Sequence, residues 1–285
     1  MSEESKVDIK LICNELGVSR SGYYSWMTRL ESPRKIENNM LSNKIRELHE
    51  ESRGTYGLPR LRVKLKEEGF SCGKERISNL MKNAGISGLI KKRFKVRTTD
   101  SKHSSPIAPR IFQVEESATH PTRANQVWAS DISYVSTAEG FLYLATYLDI
   151  FTRKVVGFSL DDHMETSLIT SALDMALGRQ DLTKDGMLSH SDRGSQYASS
   201  GYREKLKLLN ITASMSRKGN CYDNSFAESF FATLKKELIY RTEYKNKEEA
   251  KKDIFQYIEI WYNRKRIHSS IGYMTPVQFE KSLFM

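Results

Sequence analysis

Cysteine is scarce in this chain, with Cys13, Cys72 and Cys221 the only three in 285 residues. Their wide spacing fits neither a zinc motif nor a disulfide framework and reads as free thiols in a reducing cytosol. Long apolar runs are missing too. No stretch of 18 or more apolar residues occurs, so the sequence encodes no membrane-spanning helix. The opening Met-Ser-Glu-Glu-Ser-Lys is polar and lacks a signal-peptide core. Sustained heptads, which a coiled coil needs, are absent. What remains, 39% hydrophobic and 28% charged residues, is a globular composition with ample length for buried cores.

Acidic residues are short in one region only. Residues 1–110 hold 23 Lys and Arg against 13 Asp and Glu, while residues 111–285 hold 22 of each. The whole formal excess of +10 therefore lies in the N-terminal part, the electrostatic footprint of nucleic-acid binding.

Periodicity divides the chain into four parts. Residues 1–30 form a helical pair, with Ile9, Ile12 and Leu16 on one face, Gly17 at the turn and Ser19 as the next N-cap. The aromatics of the second helix, Tyr23, Tyr24 and Trp26, have two readings, core or DNA readout, of which core is the favoured one. Residues 38–90 form a helix-turn-helix module with Leu41, Ile45, Leu48, Leu61, Leu65, Ile77, Leu80 and Met81 inward. Its Arg60, Arg62, Lys64 and Lys74 are candidate phosphate contacts. Residues 91–119 read as a basic linker, in which Lys91, Lys92 and Arg93 could track a DNA backbone. From 120 to 285, three strand-like runs, a helix, a strand, a helix, a strand and two helices follow, the last expected at 247–267. Strands joined by helices imply an α/β domain with a mixed sheet.

Three carboxylates in that second part carry the chemistry. Asp131 lies in a β-like run, Val-Trp-Ala-Ser-Asp-Ile-Ser-Tyr-Val (127–135). Asp192 follows a short apolar stretch, and Glu228 sits in a helical segment 36 positions later. Convergent acids hold hard divalent cations, which need oxygen ligands, and two such ions can drive an in-line phosphoryl displacement. Spacing alone is weak evidence, since 22 of the 175 residues after position 110 are acidic. Asp149, which also ends a strand-like run, shows how readily a decoy arises.

The wording around the acids is more specific. It comprises Trp-Ala-Ser-Asp-Ile-Ser-Tyr (128–134), Tyr-Leu-Asp-Ile-Phe-Thr-Arg-Lys-Val-Val-Gly-Phe (147–158) and His-Ser-Asp-Arg-Gly-Ser-Gln-Tyr (190–197). Asp-Asn-Ser-Phe-Ala-Glu-Ser-Phe-Phe (223–231) and Tyr-Asn-Arg-Lys-Arg-Ile-His-Ser-Ser-Ile-Gly-Tyr-Met-Thr-Pro (262–276) complete it. From about residue 38 onward the chain resembles the DDE transposases and retroviral integrases, most closely the OrfB transposases of the insertion-sequence-three family.

The resemblance implies an RNase H-like core with a mixed five-stranded sheet. It implies that Asp131, Asp192 and Glu228 bind two Mg2+ or Mn2+ ions and catalyse strand cleavage and strand transfer. It also implies double-stranded DNA as substrate, at least a homodimer on DNA, an OrfA partner or fusion, a circular intermediate and a place in the bacterial cytoplasm. Lys235, two turns after Glu228 on the same face, is placed for a phosphate contact. His190 has two readings, substrate contact or ordinary structural histidine. Asn224 caps its helix or approaches DNA. Arg217 and Lys218 form a basic loop, and Arg264, Arg266 and His268 are weaker candidates for DNA or protomer contacts. Two rivals stand beside this: a nuclease of the same fold that does not join strands, and a DNA-binding regulator using the basic N-terminal half alone.

Overall fold

The computed structural model describes residues 8–89, 105–180, 186–217 and 223–284. Lys91, Lys92, Arg93 and Lys218 lie outside them. Helices α1 (Ile9–Glu15) and α2 (Arg20–Met27) form the expected pair, the Ser19 side chain accepting from the Gly22 amide at its N-cap. Only Cys13 is buried there, and Tyr24 and Trp26 are 45% and 67% exposed. The expectation of core is thus corrected for Tyr24 and Trp26: two short helices offer too little surface to enclose them.

Helices α3 (Pro33–Glu51), α4 (Leu58–Glu67) and α5 (Lys74–Asn83) build the helix-turn-helix module around Leu41, Ile45, Leu61, Leu65 and Ile77. Pro33 and Pro59 sit in first turns, where a missing N–H leaves no helical bond unmade. The expected linker ends early. Its last part lies along the core, with Phe112 buried and the Ile111 and Phe112 amides donating to Ser214 Oγ.

The sheet contains β1 (Val127–Thr137), β2 (Gly140–Asp149), β3 (Val155–Asp161), β4 (Leu188–Ser191) and β5 (Thr212–Met215) in the order β3-β2-β1-β4-β5. The first three strands are antiparallel, and β4 and β5 continue parallel to β1. Alternation along the strands feeds two cores. Leu142, Leu144 and Val155 face one side, and Ala145, Tyr147 and Val156 the other. Helix α6 (Thr166–Arg179) and, beyond the short α7 (Ser195–Ala198), α8 (Ser200–Leu208) cover the second side. Gly157 permits the close approach of α6: a Cβ there would lie 2.3 Å from the Ala172 carbonyl oxygen.

The first side is covered by α9 (Ser225–Glu237), α10 (Lys247–Gln256) and the helix-turn-helix module, which share one core. The last long helix departs from expectation. It runs through a π-helical turn, Tyr257–Tyr262, and stops. Asn263 ends it by bonding both backbone groups of Val155, closing the edge of β3, with two contacts of 3.0 Å. Residues beyond it fold back to a short terminal helix, α11 (Pro276–Ser282).

Candidate active site

The parallel pairing of β1 and β4 explains how two of the acids meet. Ala129 is registered against His190, so Asp131 and Asp192 are each two residues further along adjacent strands. The ladder with β4 ends at Ala129, while β1 continues to Thr137, so the strands part where the acids stand. Carboxyl ends of diverging parallel strands are where α/β sheets open clefts. Helix α9 lies beside that opening. The Asn224 side chain ties its start to β1, donating from Nδ2 to the Ser130 carbonyl at 3.1 Å. Glu228 follows in the first turn of α9, and Lys235 is two turns further on.

The electrostatics are those of crowded negative charge. Burial, reinforced by Asp192 and Glu228, pushes the Asp131 carboxyl well above the usual range, against the Ile132 amide and Lys235. Burial and Asp192 push Glu228 up to about 7, although its side chain keeps an exposed edge. Lys235 is lowered by burial and supported by the charge of Asp131. Its ammonium sits over the Tyr134 ring, 5.1 Å from the centroid. Asp131 Oδ1 accepts from the Ile132 amide at 2.8 Å and Asp192 Oδ1 from the Gly194 amide at 2.9 Å, which orients both aspartates.

The donor set suits magnesium or manganese: three carboxylates, all hard oxygen ligands. Carboxylates whose charged form is opposed by burial and by one another gain most from a cation that offsets their charge. Among the described residues, however, no group of three His, Cys, Asp or Glu side chains stands close enough to hold a metal ion. The three acids share a field without forming a closed ligand shell.

The other candidates separate cleanly. His190 is fully buried, its ring bonded to Ser214 Oγ at 2.9 Å and Ser216 Oγ at 3.2 Å, and burial lowers it to about 4. Buried and bonded through both ring nitrogens, it presents no surface in this structure. Asn224 is buried against β1 and presents no surface either. Arg217 is half exposed but tied to Asp223 and Glu115. Arg60 donates from Nε to the Ile267 carbonyl at 3.0 Å, so it joins the helix-turn-helix module to the core. Lys64 pairs with Glu67. Arg62 and Lys74 fare better: with Lys66 and Tyr273 they line a surface cavity of about 590 Å³. Arg264 is exposed, whereas Arg266 is buried against Glu237 and His268 packs on Tyr262. The decoy Asp149 is a turn anchor, accepting from Thr152 Oγ1 at 2.5 Å and from the Thr152 and Asn125 amides.

Sequence reasoning missed the clamp around Asp223. Arg110 reaches it at 2.7 Å and the Arg217 amide at 2.8 Å, fixing the chain just before α9. Burial opposes ionisation of Asp223, but these cations hold it below the usual range. Arg110 and Asp223 are 113 residues apart, and no local pattern could have joined them. Tyr134 was within reach, being an aromatic three residues after Asp131.

Comparison with known proteins matches this architecture. The Integrase core domain family matches residues 121–221, a second Integrase core domain family matches 209–276, and an HTH-like domain matches 35–94. The protein class is thus an integrase-type catalytic core behind a helix-turn-helix module. The Insertion element IS600 uncharacterized 31 kDa protein of Shigella sonnei is 41% identical over 270 residues, 95% of this chain and 97% of that protein. The transposase for insertion sequence element IS904 of Lactococcus lactis is 39% identical over 90% of this chain and 99% of its own length. Transposase InsF for insertion sequence IS3A of Escherichia coli is 35% identical, covering 97% and 95%. The chain belongs to this family of bacterial insertion-sequence transposases, which makes it a polynucleotidyl transferase.

Proposed function

We propose that the chain cuts and joins DNA strands at the ends of its insertion sequence, with Asp131, Asp192 and Glu228 as the catalytic carboxylates. The observation that carries this reading is the register of β1 and β4, which aligns two aspartates where the strands part, within the charge field of Glu228. Bound by these three residues, Mg2+ or Mn2+ would supply positive charge against the attacking and leaving oxygens of an in-line displacement. Asp131 and Asp192 are oriented for that role by their amide bonds, and Glu228 enters from α9. Lys235 offers an ammonium to a phosphate beside Asp131, from its place over the Tyr134 ring. Arg62 and Lys74 hold duplex phosphates on the helix-turn-helix module, sequence-independent contacts that position the DNA. Two ends must be handled together, so at least a dimer assembles on DNA, and an OrfA product is the expected partner for end recognition.

The test is strand transfer on a labelled duplex carrying the element's terminal sequence, with magnesium or manganese, beside Asp131→Asn. Cleaved and joined products that vanish in the variant support the reading. Cleavage without joining favours a nuclease, and products that persist in the variant reject the carboxylate assignment. Binding without products from the wild type indicates a missing partner or a regulator, which added OrfA distinguishes.

A further inference from the structure

Beside the carboxylates lies a surface that the reaction as described does not use. Tyr134, three residues beyond Asp131 on β1, packs edge-on against Phe141 of β2 with ring centroids 5.1 Å apart. Tyr240, just past α9, is close enough for the Tyr134 hydroxyl to bear on its own phenol, which burial and that neighbour push upward. Phe141 is 52% exposed and Tyr240 55% exposed. Tyr134 and Phe141 thus present a paired ring surface, with Tyr240 a further exposed ring near Tyr134. Lys235 spans the gap, its ammonium over Tyr134 and within the field of Asp131.

We propose that Tyr134, Phe141 and Tyr240 form a stacking platform for one or two unpaired bases of the DNA strand that enters the carboxylate site. Where a strand end is unpaired beside the carboxylates, its unstacked bases need another surface to lie on. Aromatic faces do this for any base, because every base has a π-face, and a basic side chain tracks the connecting phosphate. Asp131 and Tyr134 lie three residues apart, so their side chains leave opposite faces of β1, and Lys235, near both, links them around the strand edge that β4 leaves open beyond Ala129. Charge complementarity favours a nucleic-acid strand as the occupant: the rings continue into Lys235, and Lys236 follows on the same helix. The platform reads only an unpaired flank and leaves duplex binding to the helix-turn-helix module.

This inference rests on the carboxylate reading, and the experiment separates the two. The full chain is mixed with a duplex carrying the terminal sequence and a short single-stranded flank containing 5-iododeoxyuridine, then irradiated. The expected result is cross-linking to Tyr134, Phe141 or Tyr240. Phe141→Ala and Tyr240→Ala should each weaken binding of the flanked duplex about tenfold, leave blunt duplex binding unchanged, and melt like the wild type. Phe141→Trp should bind the flanked duplex as tightly as the wild type. Cross-links confined to other residues, or alanine variants that hold the flanked duplex as tightly as the wild type, overturn the platform. Asp131→Asn run in parallel tests the catalytic assignment alone. Metal-dependent cleavage surviving in that variant rejects the carboxylate reading, while the cross-link map still decides the platform.

Discussion

The most consequential single residues outside the site are Glu237 and Arg266. Both are nearly sealed from solvent, at 6% and 7% side-chain exposure, and they meet at 2.9 Å. Tyr257 and Trp261 also donate to the Glu237 carboxylate. A fully bonded buried pair is neutral bookkeeping at best, but breaking it strands a charge. Glu237→Leu should therefore cost about 3–5 kcal/mol in urea unfolding, more than a surface pair ever does. Adding Arg266→Met to it should recover much of that loss. A single variant that loses under about 1 kcal/mol would show that the pair contributes little. His268 gives a pH signature. Burial, with Arg266, Arg60 and Arg153 nearby, lowers it from 6.5 to about 2. The unfolded chain takes up this proton first, so stability is present above about 6.5 and is lost as pH falls toward 2. His268→Phe is expected to flatten the fall of the unfolding midpoint between neutral and mildly acidic pH. An unchanged slope would assign the acid sensitivity to other groups.

At the scale of elements, Gly157 is where strand and helix press hardest. A methyl group there would meet Ala172 O at 2.3 Å and Ala176 Cβ at 2.7 Å. Gly157→Ala should push α6 off β3 and cost about 1–3 kcal/mol, as overpacking does, read as a lower denaturant midpoint. A midpoint equal to the wild type would mean that α6 shifts freely. Much of this layer was legible in the sequence. Strand-like runs marked β1 and β2, and Ser19 marked the start of α2. The failures share a cause, namely contacts between distant parts of the chain. No Gly or Pro interrupts residues 263–267, so the last helix was expected to run to 267, and only the bond to Val155 reveals the stop. Arg60 and Arg266 carry the look of DNA contacts in a basic sequence, yet one is spent on a carbonyl 207 residues away and the other on Glu237. Periodicity also cannot say whether a facing partner exists, which is why Trp26 was expected inside.

For the whole molecule, the question is how the helix-turn-helix module and the carboxylate site are joined. Tyr56, at the start of the turn into α4, donates from its hydroxyl to the Lys265 carbonyl at 3.2 Å and accepts from the Ile267 amide at 2.9 Å. These bonds flank Arg266, which in turn grips the last turn of α9, and the first turn of α9 carries Glu228. One end of that helix is therefore braced against the helix-turn-helix module, while the other faces unbalanced negative charge. A cation at the carboxylates should relieve the second strain without disturbing the first. Millimolar magnesium is expected to raise the melting temperature and to slow amide exchange in residues 225–231, with residues 56–61 unchanged. Asp131→Asn removes one of the repelling charges, so the metal-free variant should melt no lower than the wild type and gain less from magnesium. Tyr56→Phe leaves the buried Ile267 amide without an acceptor, at a cost of about 1–3 kcal/mol. It should speed exchange at residues 56–61 and 265–267 while leaving the magnesium response in place. If magnesium protects both ends of α9 equally, the two halves move as one body, and DNA held by the module would then bear directly on the position of Glu228.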